Sequence, residues 1–375
     1  MKIAIVTNYF YPVEGGVERH TYYIAKNLVE RGHKVTVITS DKTRDSKTLK
    51  KYEVKDKIRI IRLPVLIKIG DFGVIFPRVI KEIKKISPDI VHLHVFRHFH
   101  NLIPFFIKKP CIITPHWPNY PKEVRKPYVD ILVSLFDRIL GKAVLKKCRK
   151  IIAITDLEKE WLVGKFKINQ RNIEVIPNGI PKEYLKKRYG TKVRKKLNLR
   201  RNQKIVLCIS RLHKSKGIDQ VIKIATFFKD VVFLIAGRDG GEKKNLLKLA
   251  KPLKNIHFIE NVSDEKKLEL YAASDVFVHP SHYEGFGIVV LEAFSQGVAV
   301  ITSDKGGLPW VVSDAGLIFK DKDLKDLKDK LSLLLKEDKL RKNLAKKGKN
   351  RVKDFTWENI VNKIEKVYEK AIWKR

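Results

Sequence analysis

Residues 2–39 read KIAIVTNYFYPVEGGVERHTYYIAKNLVERGHKVTVIT. The run Lys2–Thr7 is short, apolar and partly β-branched, and a loop rich in Pro and Gly follows from Asn8 to Gly16. From Val17 to Arg31 the apolar positions Tyr22, Ile24, Ala25 and Leu28 recur at helical spacing, and Gly32 stops the pattern. Val35–Thr39 is apolar again. Strand, helix and strand within about forty residues predict a βαβ unit. Neither strand alternates apolar with polar residues, as expected where a parallel sheet is covered on both faces.

Working outward, the rhythm continues with strands expected at Ile58–Ile61, Ile90–His94, Ile112–Thr114 and Ile151–Thr155. The second half repeats it, with strands expected at Ile205–Ser210, Val231–Ala236, Ile256–Ile259, Val276–His279 and Ala299–Thr302. Between the halves, Lys182 to Gln203 is rich in Lys and Arg and carries no strand signal, so a linker with a small helix is expected there. The fold class is therefore α/β, with two doubly wound Rossmann-like domains facing across a cleft. The expected domains are residues 1–181 on the acceptor side and 182–356 on the nucleotide side, with a last helix over 357–375 packing back on the first. In open sheets of this kind ligands bind beyond the carboxyl ends of the strands, at the switch in strand order.

Composition narrows the setting. A chain of 375 residues, 44% of them hydrophobic, is globular and too long for one ordinary core. Cys111, Cys148 and Cys208 have neither disulfide nor metal-ligand spacing, which suits reduced thiols in a cytoplasmic protein. The first residues read as a strand and not as an export signal. No uncharged run reaches the roughly 18 residues that a spanning helix needs. The net charge of +38 is divided almost evenly between the halves and favours polyanionic partners, although a lysine-rich surface alone would also produce it. No nucleic-acid-binding module is recognisable, so nucleic acid is not an expected partner.

Two strand ends carry the chemistry. Ser210-Arg211-Leu212-His213-Lys214-Ser215-Lys216-Gly217 leaves a strand and opens a helix. A guanidinium fork at Arg211 and an ammonium at Lys216 can close around a diphosphate. Glu284-Gly285-Phe286-Gly287-Ile288-Val289-Val290-Leu291-Glu292 is the sharper signal. Its glycines allow backbone to approach a ligand, and a helix starting near Ile288 directs free N–H groups out of the loop, where phosphate belongs. Glu284 and Glu292 are placed to take sugar hydroxyls on either side. The plainer reading makes Glu284 a helix N-terminal charge and Glu292 a structural acid.

Together these segments resemble the retaining glycosyltransferases with two Rossmann-like domains (the GT-B type), the glycogen-synthase-like fourth family, group 1. The resemblance covers nearly the whole chain and keeps family order. Its pieces are Glu14-Gly15-Gly16-Val17-Glu18-Arg19-His20, Glu30-Arg31-Gly32-His33-Lys34-Val35, Ile176-Pro177-Asn178-Gly179, Ser210-Arg211-Leu212 with Lys216-Gly217, Ala236-Gly237, and the motif from Glu284 to Glu292. The resemblance implies transfer of a hexose-type sugar from a nucleotide-sugar donor to a lipid-linked, polysaccharide or small polyol acceptor, with retention of configuration. It implies that Gly15 and Gly16 approach the donor phosphate, that Arg211 and Lys216 neutralise the diphosphate, and that Glu292 holds the ribose hydroxyls. It places Glu284 on the transferred sugar, Phe286, Gly287 and Ile288 around phosphate and sugar, Gly237 and Val262 at the donor, and His116 facing the reacting sugar. No metal or other cofactor is implied.

One position departs from the family pattern. Gly306-Gly307-Leu308-Pro309 is followed by Trp310 where a glutamate is usual, and an indole accepts no hydrogen bond. His92, His94, His98 and His100 resemble a metal cluster, but without carboxylate or cysteine they read better as cleft or acceptor contacts. Finally, Pro121 to Lys150 mixes apolar Val129, Ile131, Leu132, Leu135, Phe136, Ile139 and Leu140 with Lys122, Arg125, Lys126, Arg138, Lys142, Lys146, Lys147, Arg149 and Lys150. Such a stretch offers an anionic membrane surface as a partner, although a helix packed on its own sheet has the same pattern. The competing functions are a basic nucleic-acid- or membrane-binding protein that keeps the fold without transfer, and another enzyme on the same fold, such as an epimerase, a phosphorylase or a sucrose-type synthase.

Overall fold

The computed structural model describes residues 1–69, 73–119, 127–200 and 202–373. The chain forms two compact units, residues 1–179 with 357–375 and residues 180–356. Unit 1 contains β1 (Lys2–Val6), α1 (Gly16–Glu30), β2 (Lys34–Ser40), β3 (Tyr52–Lys55), β4 (Ile58–Leu63), β5 (Ile67–Ile69), β6 (Gly73–Ile75), α2 (Val79–Ile86), β7 (Ile90–His94), β8 (Cys111–Thr114), α3 (Pro127–Phe136), α4 (Lys142–Lys147), β9 (Lys150–Ala153), α5 (Asp156–Phe166) and β10 (Ile173–Val175). Unit 2 contains α6 (Thr191–Lys196), β11 (Ile205–Ile209), α7 (Ile218–Ala225), β12 (Val232–Ala236), α8 (Lys243–Ala250), β13 (Ile256–Ile259), α9 (Asp264–Ala273), β14 (Val276–His279), α10 (Ile288–Ser295), β15 (Ala299–Ser303), α11 (Leu308–Val312), β16 (Gly316–Phe319), α12 (Leu324–Lys336) and α13 (Asp338–Arg351). The last helix, α14 (Trp357–Trp373), belongs to unit 1.

The main sheet of unit 1 runs β10-β9-β8-β7-β1-β2-β4-β3 and is parallel except for the β3–β4 pair. Along β1, Ile3 and Ile5 enter one apolar cluster while Ala4 and Val6 enter the other. Both faces are thus covered, which is why the strands show no polar alternation. The first cluster contains Ile24 and Leu28 of α1 and Ile360, Val361 and Ile364 of α14; the second contains Val79 and Ile83 of α2. The sheet of unit 2 runs β13-β12-β11-β14-β15-β16 and is parallel throughout. That is the doubly wound order, with the switch between β11 and β14. In unit 1 the corresponding switch lies between β1 and β7.

The structure modifies several expectations. Residues 182–203 are not a free linker. Tyr184 is buried, and Arg194 donates to the carbonyls of Gln203 and Ala273 and pairs with Asp275 at 3.0 Å, tying α6 into unit 2. Thr155 is not in a strand; its hydroxyl accepts from the Glu158 amide and starts α5, as hydroxyl caps do. The sequence reading named no strand at β3, β5, β6, β10 or β16. These are three or four residues long, and several lie at sheet edges, so neither length nor a buried apolar run marks them.

Because α14 closes one face of unit 1, its apolar stripe sets local stability. Ile364 is 1% exposed. Ile364→Ala is expected to cost about 2–5 kcal/mol, read as faster hydrogen exchange at the β1 and β8 amides. Unchanged protection there would show that α14 does not carry that face.

Candidate active site

The turn after β11 places Arg211 in solvent, and among the described residues its guanidinium has no hydrogen-bond or ion-pair partner. Lys214–Lys216 forms a 3-10 turn ahead of α7, so Lys216 precedes the helix and does not begin it. Its ammonium pairs with Glu284 Oε2 at 2.7 Å, and His279 Nε2 lies 3.1 Å from the same oxygen. Burial pushes the Glu284 carboxyl up, but the Lys216 charge and the His279 hydrogen bond outweigh it and hold Glu284 well below the usual range. Burial lowers His279, leaving a neutral ring whose Nε2–H donates to the carboxylate. Arg211, Lys216, His279 and Glu284 thus meet around the ends of β11 and β14, the strands that flank the switch in unit 2.

Gly287 caps α10 at φ 93°, and a Cβ there would meet Leu308 Cδ2 at 2.6 Å. Phe286 is buried, and the helix opens at Ile288 with its first amides free of intrahelical partners. Gly306 has φ 58°, and a Cβ would lie 1.8 Å from the carbonyl oxygen of Glu284, while the Gly307 amide donates to that oxygen at 3.1 Å. The Gly-Gly pair therefore packs backbone to backbone against the glutamate loop. Trp310 leaves this loop intact. It lies 6.0 Å from the Phe286 ring and 6.1 Å from Phe355, and Arg351 donates to its carbonyl.

Glu292 is 2% exposed, and both its oxygens are engaged, by Lys267 at 2.9 Å and by the Tyr271 hydroxyl at 3.2 Å. The sequence reading missed Lys267 and Tyr271. One lysine of a lysine-rich helix has no distinguishing signal, and the pairing appears only when α9 packs on α10. Gly237 follows β12 with φ 151°, and a Cβ would lie 1.8 Å from the Ser210 carbonyl, so this glycine lets the β11 and β12 ends approach. Val262 lies in the turn between β13 and α9 and is partly exposed.

Unit 1 gathers a second set at its own switch. Gly15 precedes α1, where a Cβ would meet the Glu18 carboxylate at 2.1 Å, and Gly16 opens the helix onto free space. Glu18 pairs with Arg44 at 2.5 Å. His116 leaves β8 with φ 62°, and Trp117 follows at φ 52°. Two consecutive left-handed residues that are not glycine are strained and need support. Glu158 provides it by accepting from the Trp117 and Ile154 amides.

The expectation that His92, His94, His98 and His100 line a ligand surface is corrected. All four are buried. β7 lies inside the sheet between β1 and β8, so its side chains face covered layers. His92 bonds the Tyr368 and Thr114 hydroxyls, His100 bonds the His94 carbonyl, and His98 faces the Asn8 amide. His94 reaches a candidate site residue: its Nδ1 lies 3.0 Å from His116 Nε2. With His20 these two form a group whose potential ligand atoms lie within 4.8 Å of one another. Among the described residues His94 Nε2 has no hydrogen-bond partner, whereas a metal-bound imidazole normally donates its outer N–H.

Two family models match this chain: Glycosyltransferase Family 4 over residues 14–184 and Glycosyl transferases group 1 over residues 191–351. An uncharacterized glycosyltransferase of Methanocaldococcus jannaschii is 27% identical, with 99% of each chain covered. A phosphatidyl-myo-inositol mannosyltransferase of Mycobacterium leprae is 26% identical over 98% of this chain and 96% of its own. Among solved structures, sucrose-phosphate synthase from Thermosynechococcus elongatus superposes with a TM-score of 0.81, at 21% identity and 98% coverage of both chains.

Glu158 gives this region a pH signature. Burial raises its carboxyl from 4.5 to about 7, although the two amide donors favour the ionised form. A folded-state pKa above the unfolded value stabilises below the unfolded pKa, and the contribution is lost as pH rises through the folded one. Glu158→Gln cannot titrate. Its destabilisation, measured by urea unfolding, is expected to be greatest below about pH 4.5 and to shrink toward pH 7. A difference independent of pH would contradict this.

Proposed function

The chain belongs to the group 1 glycosyltransferases, with the two doubly wound domains of the GT-B fold, and from that premise we propose that it transfers a hexose-type sugar from a nucleoside diphosphate donor seated in unit 2. The observation that carries this is the convergence at the β11/β14 switch. A free guanidinium at Arg211, the Lys216–Glu284 pair and the open amides of α10 occur together there. When the bond between the sugar and the diphosphate breaks, charge grows on the departing phosphate. Fixed cations and helix N–H groups placed at that charge lower the barrier without reorganising. Glu284 is placed to accept from hydroxyls of the transferred sugar, and Glu292 from the ribose. Both donors to Glu284 share Oε2, which leaves Oε1 for the sugar, and each Glu292 oxygen holds a single donor and keeps a second lone pair for the ribose.

Retention of configuration follows from the same reading. The acceptor oxygen attacks on the face from which the diphosphate leaves, one carbon–oxygen bond forms as the other breaks, and the acceptor proton passes to the departing phosphate. The residues described require neither a metal nor another cofactor for these steps. Thermal shifts with UDP, GDP and ADP and their sugars identify the donor.

A lipid-linked acceptor is favoured over a soluble one by the surface of unit 1. On α3 and the π-helical turn after it, Ile131, Leu132, Leu135 and Ile139 are 69%, 58%, 52% and 62% exposed. The exposed residues Arg138, Lys142, Lys146 and Lys147 continue the same segment. An apolar ridge beside a basic one fits an anionic lipid surface, and each basic residue near such a surface adds about 1 kcal/mol. Two of the basic residues expected from sequence do not serve in this way. Lys150 is buried against the Arg171 carbonyl, and Arg149 donates to the Ala371 carbonyl. Lys122, Arg125 and Lys126 lie outside the described residues. Among the described residues no helix is long and apolar enough to cross a membrane.

Two outcomes test this function. Arg211→Ala is expected to lower turnover by about 10²–10³ with the fold intact, and Glu292→Ala to weaken nucleoside diphosphate binding by about 1.5–3 kcal/mol. Near-normal turnover, or unchanged affinity, would refute the corresponding role. In vesicle co-sedimentation the protein should bind anionic but not neutral vesicles at low salt, and release when salt is raised or when Arg138, Lys142, Lys146 and Lys147 are neutralised. Absence of binding at low salt would point to a soluble acceptor.

A further inference from the structure

Burial lowers both His94 and His116 well below 6.5, so the two rings meet as neutral imidazoles. Each then carries a single N–H, and in the bond between His94 Nδ1 and His116 Nε2 one nitrogen donates and the other accepts. The far nitrogens decide which. If His116 donated, His94 would carry its proton on Nε2. Among the described residues that atom is buried and without a partner, and the His92 and His94 ring centroids are 4.1 Å apart. A buried donor with nothing to bond loses its hydration uncompensated, whereas a bare nitrogen is the better-tolerated orphan. The proton therefore sits on His94 Nδ1.

We propose that His94 is a positioning residue that donates Nδ1–H to His116 Nε2 and so fixes His116 as its Nδ1–H tautomer, a neutral hydrogen-bond donor to the oxygen of a sugar or phosphate group. The proposal rests on the reading of His116 as a substrate-facing residue. Among the described residues His116 Nδ1 has no partner, and it is not one of the buried unpartnered atoms, so it is the nitrogen left for a ligand. The left-handed turn at His116 and Trp117, held by Glu158, fixes where the ring points. A donor at this place stabilises negative charge on an oxygen and cannot remove a proton. That agrees with a transfer in which the acceptor's proton leaves on the phosphate.

The test is ring-nitrogen NMR of the full chain labelled with ¹⁵N in histidine, with His116 assigned through His116→Gln. The expected spectrum at about pH 8 shows His116 protonated at Nδ1 and bare at Nε2. A proton on Nε2, or an imidazolium, would overturn the assignment. In activity, His94→Leu should lower kcat about tenfold with donor KM unchanged. His94→Asn, whose amide can take the place of Nδ1–H, should recover most of the loss. Equal kcat in wild type and His94→Leu would overturn the positioning role. Should His116→Ala leave transfer unchanged, the reading of His116 as a substrate contact fails, while the tautomer remains decided by the spectrum.

Discussion

Parallel strands place every carboxyl end on the same edge of a sheet, and the rest of this molecule depends on that constraint. In unit 2 the ladder is parallel throughout, so the loops after β11, β12, β13 and β14 emerge together. The reversal in strand order parts the helices after β11 and β14 to opposite faces and leaves room between their loops. Arg211, Gly237, Val262 and Glu284 lie in those four loops although up to 73 residues separate them in sequence. Unit 1 obeys the same rule, which brings the loop after β1, His94 at the end of β7 and His116 beyond β8 to one edge.

Close packing of backbone shapes that edge. The glycines at 237 and 306 allow main-chain atoms from different loops to approach where a side chain would collide, and Gly287 leaves room for the Leu308 side chain. Charge is arranged with similar economy. The Glu284 carboxylate pairs with the Lys216 ammonium and accepts from His279, and Glu292 pairs with Lys267 and accepts from the Tyr271 hydroxyl. A buried carboxylate stripped of its partner is strongly destabilising. These acids are therefore held in place before any ligand arrives, while Arg211 remains uncommitted at the rim.

The sequence made the frame legible. The apolar runs at Ile3, Ile90, Ile205 and Val276 locate the central strands because both faces of each must be covered. The glycines and acids from Glu284 to Glu292 locate the anion-binding helix end because few other functions need that pattern. What escaped was whatever depends on tertiary neighbours. The histidines of β7 read as ligand contacts because composition cannot distinguish an edge strand from an interior one. Lys267 looked like any surface lysine, and Glu158 like any helix acid, until packing set one on Glu292 and the other beneath the His116 turn. The apolar face of α3 erred the other way: its periodicity fits a helix packed on its sheet, yet four of its large side chains and those of the turn after it are open to solvent.

The claim on which the whole account turns is that the donor diphosphate sits at the α10 N-terminus and the β11 turn of unit 2. Backbone amide NMR of the full chain, titrated in turn with UDP, GDP and ADP, tests it directly. The account predicts that at least one nucleotide produces its largest shifts at Gly287, Ile288 and Val289 and between Arg211 and Gly217. Shifts confined to unit 1, or saturable binding that leaves those amides unmoved, would contradict it.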